Sequence, residues 1–266
     1  MGRSVSQNPG IGNGQFRSVY TRGRTRYPAA MSAPFLSVVI PALHEAAAIG
    51  QALDRLAALP APWPVEVLVV DGAPEQDTLA AATRPGVRTL ASPPGRARQM
   101  NAGAGATSGQ ALLFLHADTQ LPAPAFARIA EALADPAVCG GAFGLGFASD
   151  RPALRLVAWC GDLRNRLARI PYGDQAIFLR RSIFRSLGGF DDIPIMEDVD
   201  LMRRAKARGL RMRILRDKVA TSPRRYEADG VLRTVLRNSL LRLRFALGAD
   251  PERLARHYPP TPGGRP

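Results

Sequence analysis

Leu36-Ser-Val-Val-Ile-Pro41 and Val65-Glu-Val-Leu-Val-Val-Asp71-Gly72 bracket a stretch, Glu45–Leu59, in which Ile49, Leu53, Leu56 and Leu59 recur at helical spacing. The two flanking runs are short, apolar and rich in β-branched residues, and each stops at a turn former. They read as buried strands joined by a helix. The alternation continues with a short helix at Asp77–Ala82, a strand at Val87–Leu90, a helix at Arg96–Ala106 and a strand at Ala111–Leu115. Strands alternating with helices at this spacing predict an α/β fold around a mainly parallel sheet with right-handed crossovers. Past Pro122 the rhythm changes. Helices are expected at Phe126–Leu133, Leu154–Leu167, Glu197–Arg208 and Val231–Leu247. Strands are expected where Phe143, Leu145 and Phe147 alternate and at Gln175–Leu179.

Outward from this body, residues 1–33 are rich in Gly, Ser, Arg and Gln without apolar periodicity and read as a disordered basic extension. Met31 stands just before the first strand and is the expected translation start. Residues 251–266 read as a tail, frayed from Pro259 to Pro266. The first residues offer no apolar run for a secretory signal, and no uncharged stretch of about 20 residues could span a bilayer. With only Cys139 and Cys160, the expectation is a reduced cytoplasmic protein without a disulfide framework or a zinc site.

The net charge of +14 is unevenly spread. Residues 1–31 carry +5, residues 32–150 carry −4, and the remainder carries +13. A nucleic-acid module would concentrate its charge in a stripe interleaved with aromatics, whereas aromatics here are 6% and Arg is dispersed, so no nucleic-acid partner is expected. The positive second half leaves attraction to phosphates, or peripheral contact with an anionic membrane, open.

Three acids fall at or just past strand ends: Glu45 after the first, Asp71 after the second and Asp118 after the fourth. An open parallel sheet gathers its ligands there. Each acid alone also reads as a helix cap. The three together point to one crevice.

The order and spacing of several stretches resemble the family 2 glycosyltransferases. They are Ser37-Val-Val-Ile-Pro41 with Glu45, Val69-Val-Asp-Gly72 with Asp77-Thr78, Gly95-Arg-Ala-Arg-Gln-Met-Asn101-Ala-Gly103, and Leu113-Phe-Leu-His-Ala-Asp118. Gly188-Gly-Phe-Asp191 and Met196-Glu-Asp-Val-Asp-Leu201 complete the set. The resemblance covers about residues 35–250. Gly95–Gly103, His116-Ala-Asp-Thr119 and Thr221-Ser-Pro-Arg-Arg225 look most like the branch annotated for arsenosugar biosynthesis.

The resemblance implies a single GT-A domain, a mostly parallel twisted sheet flanked by helices, over residues 34–250. Residues 34–121 would form the nucleotide-binding half, 122–228 the acceptor half and 229–250 a C-terminal helix. It implies a hexosyltransferase that moves a sugar from a UDP-, GDP- or dTDP-linked donor to an acceptor hydroxyl with inversion. Pro41, Glu45 and Asp71 would line the nucleoside pocket. Arg96, Arg98 and Asn101 would approach the donor, with guanidinium groups suited to a phosphate's paired oxygens. Asp118 would hold the diphosphate through Mg²⁺ or Mn²⁺, since such ions take one or two carboxylates beside waters and phosphates. His116 stands where the family's metal motif has its first acid. Imidazole is a poor Mg²⁺ ligand.

Asp198 would be the catalytic base. Gly173, Asp174 and Glu197 would sit on the donor-sugar and acceptor side. Arg96 and Arg98 also read as a solvated helix face, and Glu197-Asp198 also reads as a cap. A nucleotidyltransferase on the same fold would need a Gly-rich loop after the first strand, and Pro41-Ala-Leu-His-Glu45 offers none. A non-catalytic membrane or nucleic-acid module would act through the Arg-studded helix at Val231–Leu247.

Overall fold

The computed structural model describes residues 35–61 and 63–258. The expected N-terminal extension, Met31 and the frayed end from Pro259 lie outside the described residues. Strand β1 (Leu36–Ala42) is buried along its whole length and runs through Pro41. Helix α1 (Ala46–Ala57) buries Ile49, Leu53 and Leu56, the face its spacing predicts. β2 (Val65–Asp71), α2 (Asp77–Ala81), β3 (Val87–Ala91), α3 (Arg96–Ala106) and β4 (Ala111–Phe114) follow. β2, β1 and β4 bury nearly continuous apolar runs, as strands covered on both faces must. α3 lies so close to the sheet that a Cβ on Gly103 would collide with Val39.

The second half adds β5 (Thr119–Gln120), α4 (Ala125–Leu133), β6 (Val138–Gly144), α5 (Pro152–Ala168), a 3-10 turn at Gly173–Gln175, β7 (Phe178–Arg180) and α6 (Arg181–Ser186). Then come α7 (Glu197–Ala207), β8 (Arg211–Lys218), β9 (Ala220–Thr221), α8 (Arg224–Asp229), α9 (Val231–Ala246) and α10 (Pro251–Ala255). The main sheet has the order β3-β2-β1-β4-β7-β6-β8. β7 is antiparallel to both of its neighbours, and the other pairings are parallel. The predicted mostly parallel α/β sheet is therefore observed, with one reversed strand inside it.

Six elements escaped the hydrophobic pattern, β5 and β9 because two residues each show no period. β8 reads Arg-Met-Arg-Ile-Leu-Arg-Asp-Lys, mostly exposed at the sheet edge, where charge blunts pairing with another chain. α6 and α8 are six residues each, too short for a helical period to show. α10 occupies residues expected to be tail, and it is anchored because Leu254 is 3% exposed beside Leu241 and Ile195.

The core runs through the sheet from Val39, Leu68 and Val70 to Leu179, Leu201 and Met202. Phe114 packs edge-on to Phe190 at 4.8 Å between ring centroids and against Phe184 at 5.1 Å. The small β5–β9 sheet matters beyond its size. Thr119 pairs with Thr221, and Thr119 Oγ1 donates to Thr221 Oγ1 at 3.1 Å. That pairing sets the start of α8 beside Asp118.

Candidate active site

The loop after β4 carries His116 and Asp118, and the β5–β9 pairing draws α8 onto it. Arg224 Nη2 then lies 3.3 Å from Asp118 Oδ2 and 3.4 Å from Glu45 Oε1. Glu45 opens α1, and its carboxyl is raised above the usual range by burial, with Arg224 working against the rise.

Asp198 enters from the other side, on the first turn of α7. Its Oδ2 accepts from the Gly173 amide and its Oδ1 from Val199 N at 2.7 Å, so two backbone N–H groups hold its orientation. A Cβ on Gly173 would stand 3.0 Å from both Asp198 Oδ2 and His116 Nε2, which leaves little room for a side chain there. The residue before α7, Met196, is held at φ 68°, a left-handed conformation unusual for a non-glycine residue. Such strain persists only where the surroundings over-determine it, and it clusters at functional sites.

Asp118 and Asp198 line one cavity of about 230 Å³ with Arg96, His116 and Asp174. Its other wall comes from α8 and α9 through Arg224, Arg225, Tyr226 and Arg242. The Tyr172 ring lies between helices: Arg164 of α5 sits 4.0 Å from its centroid and Arg242 of α9 5.2 Å. Burial, followed by the charge on Asp198, pushes the Asp174 carboxyl up to about 6. Burial and the Arg96 charge lower His116 to about 4, so its imidazole is neutral near pH 7. Burial opposes the charge on Arg96, but Glu197 and Asp198 outweigh it and raise the guanidinium's pKa.

Asp118, Asp198, Asp174 and Arg96 thus come together as expected. Gly173 joins them through its amide, and Glu197 lies behind them, 1% exposed and ion-paired with Arg96. That pair gives Arg96 a partner other than a phosphate, although Arg96 still faces the cavity.

Four expected donor contacts are placed differently. Asp71 is fully buried, and its oxygens accept from Ala73 N at 2.9 Å and Thr78 N at 3.2 Å, so it shapes the loop after β2. Pro41 is buried within β1. Arg98 is half-exposed and pairs with Asp192 at 2.8 Å. Asn101 spends both ends of its amide on Phe190, donating to its carbonyl at 2.8 Å and accepting from its N–H at 2.9 Å. None of these four lines the cavity. Arg164, Arg224, Arg225 and Arg242 were not assigned from sequence. The Thr221–Arg225 stretch marked their neighbourhood, but nothing in the pattern marked α8 as lying beside β5.

Among the described residues no group of three or more His, Cys, Asp or Glu side chains is arranged to hold an ion alone. Asp118, with neutral His116 nearby, fits an ion completed by a bound diphosphate and water, the usual Mg²⁺ arrangement.

The sequence profile of glycosyl transferase family 2 matches residues 37–184. Comparison with curated proteins returns no match. Among solved structures, a Pyrobaculum calidifontis mannosyltransferase in complex with GDP-Man and Mn²⁺ is 24% identical with TM-score 0.57, covering 71% of this chain and 56% of that one. Staphylococcus aureus TarS 1–349 with UDP-GlcNAc is 16% identical with TM-score 0.56, covering 70% and 58%. Mycobacterium tuberculosis glucosyl-3-phosphoglycerate synthase, with Mn²⁺, UDP and glucosyl-3-phosphoglycerate, is 21% identical with TM-score 0.55, covering 81% and 85%. At these identities the likeness shows the fold, and the chain spans little more than half the length of the first two.

Proposed function

The chain belongs to glycosyl transferase family 2, and from that premise we propose that it transfers a hexose from a nucleotide-diphosphate donor to an acceptor hydroxyl with inversion. The observation that carries this reading is the convergence of Asp118 and Asp198, 80 positions apart, on one Arg-walled cavity. The acceptor oxygen attacks the anomeric carbon while the bond from that carbon to the diphosphate oxygen breaks on the opposite face. The hydroxyl proton passes to Asp198, whose carboxylate is held toward the cavity by the Gly173 and Val199 amides. General-base catalysis of this kind contributes ~10²–10⁴ in rate. Arg224, Arg96 and Arg242 face the phosphates, and preorganised cations there stabilise the charge that grows on the leaving group.

Asp118 would hold Mg²⁺ or Mn²⁺ together with the diphosphate, with His116 as the cavity wall beside it. Such an ion, when bound, supplies Lewis-acid neutralisation of the departing nucleoside diphosphate. The three solved neighbours, complexed with GDP-Man, UDP-GlcNAc or UDP, support a nucleotide-sugar donor, and two of them hold Mn²⁺. The stretches Gly95–Gly103, His116–Thr119 and Thr221–Arg225 support placement with the arsenosugar-biosynthesis branch.

The test pairs two variants. Asp198→Asn keeps UDP or GDP affinity in the presence of Mn²⁺ but loses about 10²-fold or more in turnover. Asp118→Ala loses the Mn²⁺-dependent part of nucleotide binding measured by calorimetry. Near-normal turnover in Asp198→Asn, or unchanged Mn²⁺-dependent binding in Asp118→Ala, removes the corresponding role.

A further inference from the structure

Two neighbouring helices, α5 and the cavity-lining α9, expose apolar stripes on their outer faces. On α5, Leu156, Trp159, Leu163 and Leu167 recur at helical spacing and are 61%, 59%, 43% and 76% exposed. Leu232, Leu236, Leu240 and Leu243 of α9 and Leu247 at its C-terminal cap do the same, at 71%, 60%, 47%, 56% and 78%. The helices touch, and Tyr172 links them through Arg164 and Arg242. Large apolar residues scattered singly are ordinary on a protein surface. Large exposed apolar residues clustered in two adjacent stripes are not ordinary, and such clustering marks an interaction surface.

We infer that the outer faces of α5 and α9 dock the protein on an anionic lipid bilayer. The rim chemistry selects that occupant. Exposed Arg166 and Arg169 flank the α5 stripe, and exposed Arg233 and Arg244 flank the α9 stripe. α9 contains no acid. The one acid of α5, Asp162, is buried against Lys218 at 2.9 Å. A second copy of this chain would set these arginines against their own counterparts, because a two-fold contact uses the same patch twice. Anionic headgroups supply the missing charge, and acyl chains accept the leucines. No helix among the described residues is long and apolar enough to cross a membrane, so the helices lie in the plane of the interface. Arg242 and Asn238 of α9 line the cavity, so docking sets the cavity wall close to the lipid surface.

The inference does not depend on the transfer reaction, since its test reads binding alone. The chain has two tryptophans, Trp63 at 8% and Trp159 at 59% exposure, so a vesicle-induced change in emission reports Trp159. The full chain is expected to sediment with phosphatidylcholine vesicles containing phosphatidylglycerol, with a blue shift. Partition should fall ~10-fold when salt rises from about 0.1 M to about 1 M and the screening length shrinks from ~10 Å to ~3 Å. The variant Leu236→Gln/Leu240→Gln/Leu243→Gln should lose ~10-fold or more in partition at an unchanged melting temperature, in line with burial of apolar area. Trp159→Phe should abolish the shift and keep sedimentation. If the triple variant melts lower, Arg233→Gln/Arg244→Gln, which changes only exposed rim charges, reads the anionic selectivity instead. Absent binding, or equal partition to pure phosphatidylcholine, overturns the inference. So does a dimer in sedimentation equilibrium that the leucine variant splits, which would assign the face to a second copy.

Discussion

Asp174 sits in the cavity with Asp198 as its acidic neighbour and Arg164, Arg242 and Arg96 as its cationic ones, and its Oδ1 has no hydrogen-bond partner. Its carboxyl stands at about 6 in the fold against an ordinary 3.8, chiefly because burial disfavours the charge. The folded state therefore binds more protons than the unfolded chain between about pH 4 and pH 6, and stability falls as pH rises through that window. Above it the penalty is fully present. Asp174→Asn is expected to raise the melting temperature at pH 7–8, with the gain shrinking to nothing by about pH 4. A melting difference that stays constant from pH 4 to pH 8 would contradict this assignment. The turn that carries Asp174 was legible through Gly173-Asp-Gln175. The strained ionisation of Asp174 was not, because the carboxylate and the arginines that set it come from four separate elements.

α3 separates what a helical pattern encodes from what it leaves open. Its bounds, Arg96–Ala106, coincide with the expected ones, since a Gly turn before it and small apolar residues along it are local signals. The partners of its polar side chains are remote. Arg96 meets Glu197, Arg98 meets Asp192 and Asn101 meets Phe190, all in the segment leading into α7. α3 thus acts as a strut between the sheet and the loop that presents Asp198. Asn101→Ala would remove two hydrogen bonds to the Phe190 backbone and cost about 1–3 kcal/mol. Urea denaturation is expected to show that loss, while calorimetry finds UDP or GDP affinity within about twofold of the parent, because no donor contact is removed. A tenfold loss of nucleotide affinity at unchanged stability would restore the donor role that the resemblance implied. Arg181 on α6 had no sequence signal at all. It is 8% exposed and donates to the carbonyls of Gly109 and Ala104 and to the hydroxyls of Ser37 and Thr107. Arg181→Met removes all four of these hydrogen bonds and should destabilise by about 2–4 kcal/mol in the same denaturation series.

At the scale of the whole molecule, the alternation of strands and helices announced the α/β sheet, and motif order announced that Asp118 and Asp198 would meet. The closure of the cavity depended on long-range pairing that no local period records: the two-residue β5–β9 contact, and the return of α9 and α10. Leu254 of α10 packs with Leu241 of α9 and with Ile195, one residue before the strained Met196 that launches the Glu197-Asp198 turn. The C-terminal segment thereby reaches the turn that carries Asp198 through a small cluster separate from the main core. Leu254→Ala would open that cluster at a local cost of about 2–5 kcal/mol. Because the main core does not share those contacts, the loss should appear as sub-global opening and not as global unfolding. Amide exchange is expected to accelerate at residues 194–199 and in α10 while the β1, β2 and β4 amides keep their protection. Turnover should drop about tenfold through misplacement of Asp198, a change of order 1.4 kcal/mol in the barrier. Leu247→Ala, at a residue 78% exposed on the outer stripe, should leave both readouts unchanged and serves as the control. Exchange that rises uniformly across the sheet in Leu254→Ala would mean that α10 stabilises the whole fold and has no particular hold on the Glu197-Asp198 turn.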